Sequence, residues 1–297
     1  MQHLFLFVAG AAFGSFLNVL VFRYDPEKFL FSKKAVGFRP SGSIDPEGGR
    51  SRCLHCSHRL RWFELIPLVS FFIQRGRCRR CHARVSFQYP LVEILSGLIF
   101  VAVPWRIASL FPLLTPFHFL LFSVIWIVTL WVLLLMAVID FRTTIIPDEI
   151  HFLLLGAALC LALIPFTFGV TGGSVLGAYS LLFGVSSLAW VNKLIGILIG
   201  GLGMAFILVV TRGKGIGMGD VKLSAALGAL FGWPDILVLL GGAFVFGAVA
   251  GLLSMAFGGK TLKSALAFGP FIALSAVLLF FGGFEFVGWY LRVFIGS

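Results

Sequence analysis

Two aspartates and four cysteines carry the residue types and spacings in this chain that can do chemistry. Asp140 closes an apolar run, LWVLLLMAVID, and Asp220 follows Gly217-Met218-Gly219 to open another. An ionisable group bordering hydrocarbon is costly and by default marks function. Two carboxylates that meet do not both ionise easily, so one keeps its proton as a general acid while the other activates water. That is aspartic protease chemistry, which needs no covalent acyl-enzyme. The competing reading is that both residues only mark helix ends, Asp220 being favoured near a helix N-terminus by the macrodipole. Spacing alone leaves both readings open. Asp148 and Glu149 follow Pro147 and fit the first turn of a helix, which gives them a structural or supporting role. The glycine-rich run Gly213 to Asp220 does not fit the phosphate-binding pattern G-x-x-x-x-G-K-[ST], and no strand precedes it. Its glycines instead allow close approach of backbone, or of a substrate, to Asp220.

The cysteines Cys53, Cys56, Cys78 and Cys81 form two C-x2-C knuckles separated by 21 residues. Such a pair can wrap four thiolates tetrahedrally around one Zn²⁺. Two disulfides are disfavoured in a reducing compartment, and a redox pair would need a thioredoxin-like βαβ pattern that is missing. With four protein ligands the metal has no open position, so it would hold the loop together rather than react. His55, His58 and His82 beside the knuckles read as surface residues. The fifth cysteine, Cys160, reads as a small buried apolar side chain.

These groups must be positioned by elements that the composition identifies. Of 297 residues, 59% are hydrophobic and only 12% charged, with a mean hydropathy of +1.04. That excludes a disulfide-rich secreted scaffold, a disordered chain and an ordinary cytosolic enzyme, and predicts an all-α polytopic membrane protein. No cleavable signal is evident, so the first apolar segment is expected to remain. Eight spans are predicted, over about residues 3–22, 90–111, 117–139, 150–168, 192–211, 221–232, 236–257 and 266–283, the sixth being short. Residues 172–190, rich in Gly and Ser, are read as an amphipathic or re-entrant segment. A ninth crossing there would put Asp140 and Asp220 on opposite faces.

The net charge of +11 is concentrated. Residues 23–89 hold 14 of the 23 Lys and Arg against 5 of the 12 acidic residues, which places this loop in the cytoplasm by the positive-inside tendency. Topology and attraction to anionic membrane lipid account for the charge better than nucleic-acid binding does. With this loop inside, Asp140 and Asp220 both fall at cytoplasmic helix ends.

Taken together, the motifs resemble those of bacterial prepilin peptidases. Gly14-Ser15-Phe16-Leu17-Asn18-Val19, the two knuckles and Tyr89-Pro90-Leu91-Val92-Glu93 are similar to the N-terminal half of that family. Ile139-Asp140 with Ile146-Pro147-Asp148, and Gly217-Met218-Gly219-Asp220-Val221-Lys222-Leu223, resemble its two catalytic motifs. The resemblance runs in order over nearly the whole chain. It implies a bacterial inner-membrane endopeptidase of the GxGD class, with Asp140 and Asp220 as its dyad, supported by Gly217, Gly219, Pro147 and Asp148. The implied domains are a first transmembrane helix (1–22), a basic loop with the four-cysteine zinc site (23–89) and a membrane-embedded peptidase (90–297). The implied substrates are type IV prepilins or type II secretion pseudopilins, whose short basic leader is cut at the cytoplasmic face, commonly after Gly. Many members also N-methylate the new N-terminus using S-adenosylmethionine; no glycine-rich strand-to-helix turn for a methyl donor is visible here. Lys214 stands where many members carry an acid, reversing an auxiliary charge. An ion-coupled transporter would instead call for an inverted repeat in the hydropathy, which is not evident. A non-enzymatic assembly or sensor protein would tolerate loss of both aspartates. The sequence does not set the oligomeric state.

Overall fold

The computed structural model describes residues 1–26, 51–53, 55–112, 114–164, 174–184, 188–213, 215–258 and 266–294. Lys214 and most of the expected basic loop before residue 51 therefore lie outside the described residues. Among those described there are nine α-helices, two short 3₁₀ helices and no β-strand beyond two isolated bridges. The chain divides into two compact units, residues 1–127 and 128–297.

In the first unit, α1 (Gln2–Arg23) packs against α3 (Gln88–Leu110). Small residues allow the two backbones to touch. A Cβ placed on Gly14 would lie 2.7 Å from the Cα of Glu93, and one on Gly10 would lie 2.8 Å from the Cα of Gly97. In a membrane, where helices gain nothing by leaving apolar lipid for one another, such close packing and interhelical hydrogen bonds hold pairs together. The Ser96 hydroxyl donates to the Gly10 carbonyl at 2.6 Å, and the buried Asn18 amide donates to the carbonyls of Gly14 and Tyr89. Between these helices lie the cysteine knuckles, a 3₁₀ turn at Trp62–Leu65 and the five-residue α2 (Val69–Ile73).

The second unit takes the C-terminal part of α4 (Pro116–Thr143), then α5 (Asp148–Leu163), α6 (Ala189–Val210), α7 (Met218–Phe231), α8 (Asp235–Gly258) and α9 (Gly269–Phe294). At its centre is α7, whose residues from Leu223 to Phe231 are almost all buried against α5, α6 and α8. The α6–α7 seam is built from two small-xxx-small patterns, Gly196 with Gly200 and Ser224 with Gly228. A Cβ on Gly228 would overlap the Gly196 carbonyl oxygen, and one on Gly200 would overlap that of Ser224. The outward faces of α6 and α8 carry exposed Leu, Phe and Val, as lipid-facing surfaces do.

Among the described residues six helices are long and apolar enough to cross a membrane: α1, α3, α4, α6, α8 and α9. The fourth and sixth expected spans correspond to α5 and α7, of 16 and 14 residues, which rise only about 24 and 21 Å. Because α7 is wrapped by protein along its length, it need not match the hydrocarbon thickness. The chain is a multi-pass membrane protein.

Within residues 172–190 the described part holds a 3₁₀ helix, Gly177–Phe183, far too short to cross by itself, and the first two residues of α6. The 3₁₀ helix is anchored by Asp235, which is fully buried and accepts hydrogen bonds from the Ser174 hydroxyl and the Val175 N–H. Lys193 donates to the carbonyls of Ala229 and Leu230, satisfying the open C-terminal end of α7. Cys160 is exposed on α5, not buried as expected. A membrane helix can present a small apolar side chain directly to lipid, so apolar character alone does not imply burial within the protein.

Candidate active site

Four helix ends converge in the second unit: the C-terminus of α4 and the N-termini of α5, α7 and α9. Asp140, three residues from the end of α4, is 4% exposed, and its Oδ2 accepts the Gly269 N–H at 2.8 Å from the first residue of α9. A Cβ on Gly269 would sit 2.7 Å from that same Oδ2 and 2.8 Å from the Met136 sulfur. Glycine at 269 is thus what lets Asp140 face an unblocked helix N-terminus.

Asp220 lies in the first turn of α7 and is 8% exposed. Its Oδ2 turns back to accept the Gly217 N–H at 2.9 Å, the backward half of a capping box. The motif therefore folds on itself: Gly217 starts the helix, and the helix start holds the acid. Gly219, immediately before Asp220, packs on Ile146, six positions beyond Asp140. Both aspartates border helix N-termini, whose exposed N–H groups favour negative charge. The two aspartates, eighty positions apart in the chain, each cap one of these converging helix ends.

The remaining motif residues surround the pair without joining it. Pro147 immediately precedes α5, and Asp148 begins it. The Lys222 ammonium donates to Asp148 Oδ1 at 2.8 Å, linking α5 to α7 one turn from the reacting end. Gly219 comes up against Ile146: a Cβ there would lie 3.2 Å from the Ile146 Cβ. These contacts support a bracing role for Asp148 and its neighbours.

His151 escaped the sequence reading. It is buried on α5, and its Nε2 lies 3.2 Å from the Gly219 carbonyl. A carbonyl only accepts, so Nε2 carries the proton; Nδ1 stands 3.5 Å from Asp148 Oδ1. The imidazole thus ties the peptide immediately before Asp220 to the first turn of α5. The available signal was the i, i+3 spacing of Asp148 and His151, which puts both on one helix face; the partner of His151 lay 68 positions away and that of Asp148 lay 74. A His151→Leu variant is expected to lower turnover about tenfold, the value of one buried hydrogen bond, and His151→Gln to recover part of it through its amide N–H. Steady-state kinetics of the two variants would check this; equal loss in both would assign His151 to packing.

In the first unit the four cysteines meet. Their Sγ atoms all lie within 4.8 Å of one another, with Cys53 to Cys81 at 3.8 Å and Cys56 to Cys78 at 4.0 Å. A tetrahedron with Zn–S bonds near 2.3 Å has S···S edges of about 3.8 Å, so the set fits that metal. The two knuckles repeat one backbone design. Cys53 N–H donates to the His58 carbonyl and Ser57 N–H to Cys53; likewise Cys78 N–H donates to Ala83 and His82 N–H to Cys78. Ser57 and His82 both take positive φ, 54° and 56°, to close the turns. Backbone N–H groups of Cys81 and Arg80 lower the Cys78 thiol to about 7, whereas at Cys81 the backbone N–H of Ala83 is outweighed by burial and the neighbouring thiols, which push it up to about 11, so the crowded set favours a thiolate at Cys78 first. His55, His58 and His82 stay outside the cluster.

Comparison with known proteins agrees with this layout. The family model of the bacterial peptidase A24 N-terminal domain matches residues 8–107, and that of the type IV leader peptidase family matches residues 127–252. The chain is 31% identical to a prepilin leader peptidase/N-methyltransferase of Aeromonas hydrophila, over 98% of this chain and 94% of that relative. The chain belongs to the type IV leader peptidase family. Proteins of the same description from Burkholderia pseudomallei strain K96243 and Pseudomonas putida are 34% and 31% identical, over 95% and 94% of this chain and 86% and 90% of theirs. No solved structure matches it. Within this family member, the peptidase A24 N-terminal match contains the four cysteines, and the leader peptidase match contains both aspartates and His151.

Proposed function

We propose that this protein is a membrane aspartic endopeptidase that removes the leader of type IV prepilins or type II secretion pseudopilins, with Asp140 and Asp220 as its catalytic pair. The observation that supports the reading is two buried carboxylates, from α4 and α7, each accepting a backbone N–H at a separate helix N-terminus where four helix ends converge. In the reaction the ionised carboxylate takes a proton from water, whose oxygen attacks the scissile carbonyl. The protonated carboxyl gives its proton to the carbonyl oxygen, forming a tetrahedral diol. Collapse of the diol breaks the C–N bond: the leaving amine takes a proton from the acid formed in the first step, and a diol hydroxyl returns its proton to the other carboxylate, which restores the starting pair. Gly217, Gly219, Asp148 and His151 position Asp220 rather than touch the substrate. The positive-inside tendency of the basic loop supports a site at the cytoplasmic face of the inner membrane.

Relatives named leader peptidase/N-methyltransferase support a second activity here, N-methylation of the newly exposed residue with S-adenosylmethionine. The described residues include no strand-to-helix turn of the nucleotide-binding kind, so this part of the reading rests on the relatives. The decisive experiment incubates the purified chain with a synthetic prepilin and methyl donor, then weighs the products. Cleavage before the hydrophobic segment supports the peptidase reading, and a further gain of about 14 Da per methyl group supports methylation. An intact prepilin would overturn the reading.

The cysteine cluster is proposed to bind one structural Zn²⁺ through Cys53, Cys56, Cys78 and Cys81. When bound, it would supply cross-linking of the two knuckles and no reacting group. Metal analysis is expected to give about one Zn²⁺ per chain, and a Cys53→Ser/Cys56→Ser variant to lose it. That variant is expected to be less stable, with cleavage failing as a consequence. Full occupancy in the variant would exclude the site.

A further inference from the structure

We propose that the turn and short helix at residues 62–73 form a foot that inserts into the anionic headgroup layer of the bilayer spanned by α1 and α3. Its apolar side chains face outward, although the segment lies beside a charged knuckle domain. Trp62 is 78% exposed, Phe72 67% and Ile73 69%, and Leu65 and Val69 are also exposed. The 3₁₀ turn Trp62–Leu65 and α2 pack on one another, so these side chains belong to one patch. In water such a cluster is unfavourable unless something covers it.

Two contacts fix the level at which the patch sits. The Leu68 N–H donates to Glu93 Oε2 at 2.8 Å, and the ring of Phe71 packs edge-on against Phe87, 6.2 Å between centroids. Phe87 directly precedes α3, while Glu93 lies six positions further on, about 9 Å along the helix axis. The headgroup layer on each side of a bilayer is about 5–8 Å deep. The foot is therefore stitched to α3 across the depth at which aqueous headgroups give way to acyl chains.

The backbone is bent to reach this position. Leu68 has φ 61° and ψ −52°, and Val69 N–H donates back to the Pro67 carbonyl at 2.6 Å. This is a γ-turn of the rare, strained hand, which persists only where its surroundings over-determine it. Here the Glu93 carboxylate, itself buried and also accepting from Ser15, holds the strained residue's own N–H.

Charge selects the occupant. Arg75, Arg77, Arg79, Arg80 and Arg84 follow α2 closely in the chain and are all exposed, each attracted by anionic lipid near the surface. Exposed aromatic side chains beside arginines suit the membrane interface. A cationic peptide would be repelled by the same arginines.

The test places the full-length, zinc-loaded protein in nanodiscs of phosphatidylcholine with or without phosphatidylglycerol, using acyl chains brominated near the carbonyl. The Trp62 signal is the fluorescence difference between wild type and Trp62→Phe. Loss of Trp62 emission on bromination, greater with phosphatidylglycerol, is expected. Phe72→Asp with Ile73→Asp should restore the emission and shift it to the red. Should that pair fail to fold, Arg75→Gln with Arg80→Gln, which leaves the apolar patch intact, should abolish the phosphatidylglycerol dependence. Equal Trp62 emission with and without bromine would overturn the proposal. So would a Trp62 signal that responds to an added prepilin peptide and not to lipid, which would assign the patch to a protein partner.

Discussion

Asp140→Asn and Asp220→Asn are each expected to lower prepilin cleavage at least about 10²–10⁴-fold, the usual worth of positioned acid–base catalysis, while leaving the protein folded and inserted. An asparagine side chain still offers an oxygen to the Gly269 N–H or the Gly217 N–H that the aspartate accepts, so the helix ends stay satisfied. What is lost is one of two roles: the remaining aspartate can serve as base or as acid at a given moment, and the amide can do neither. The double variant is expected to be no worse than either single one, because groups that act as a unit do not contribute additively. Cleavage assays with prepilin, alongside circular dichroism in detergent, would check both statements. A single variant that retains wild-type cleavage would defeat the dyad. Equal failure of all variants with loss of helicity would assign the aspartates to structure.

The second large effect is on the seam that carries α7. Gly228→Val places branched carbon where a single Cβ already overlaps the Gly196 carbonyl oxygen and comes within 2.8 Å of the Ile197 nitrogen. Neither helix can yield by rotating a side chain, since the opposing atoms are backbone. The expected cost is about 3 kcal/mol or more, in the upper range for overpacking, accompanied by loss of cleavage because α7 carries Asp220. A Cβ on Gly203, in the same helix as Gly196, meets nothing within 4 Å. Gly203→Ala is therefore expected to be neutral or slightly stabilising, since alanine is the better helix former. Thermal denaturation of both variants in detergent, followed by helicity, would show the contrast. Similar melting of the two would mean that α6 and α7 do not approach as closely as their glycines permit.

Much of this protein is legible in its residues alone. Hydropathy finds the spanning helices because a bilayer demands that backbone polar groups be satisfied within each segment, and this leaves long apolar runs. The knuckles are legible because metal ligation requires four thiolates at short, repeated spacing. Asp140 and Asp220 stand out because charge is rare beside hydrocarbon and therefore informative.

Tertiary structure alone decided the partners. Gly269 is one glycine among 35 in the sequence, and its role exists only because α9 begins against Asp140. His151 and Gly219 are separated by 68 positions, Leu68 and Glu93 by 25, and no local periodicity encodes either contact. The length of α7 is also a tertiary outcome: 14 residues suffice because neighbouring helices, not lipid, surround it. Composition and spacing are local properties that solvent and metal impose directly on the chain. Which helix end faces which carboxylate depends on how the small residues of distant helices interlock, and that is settled only when they pack.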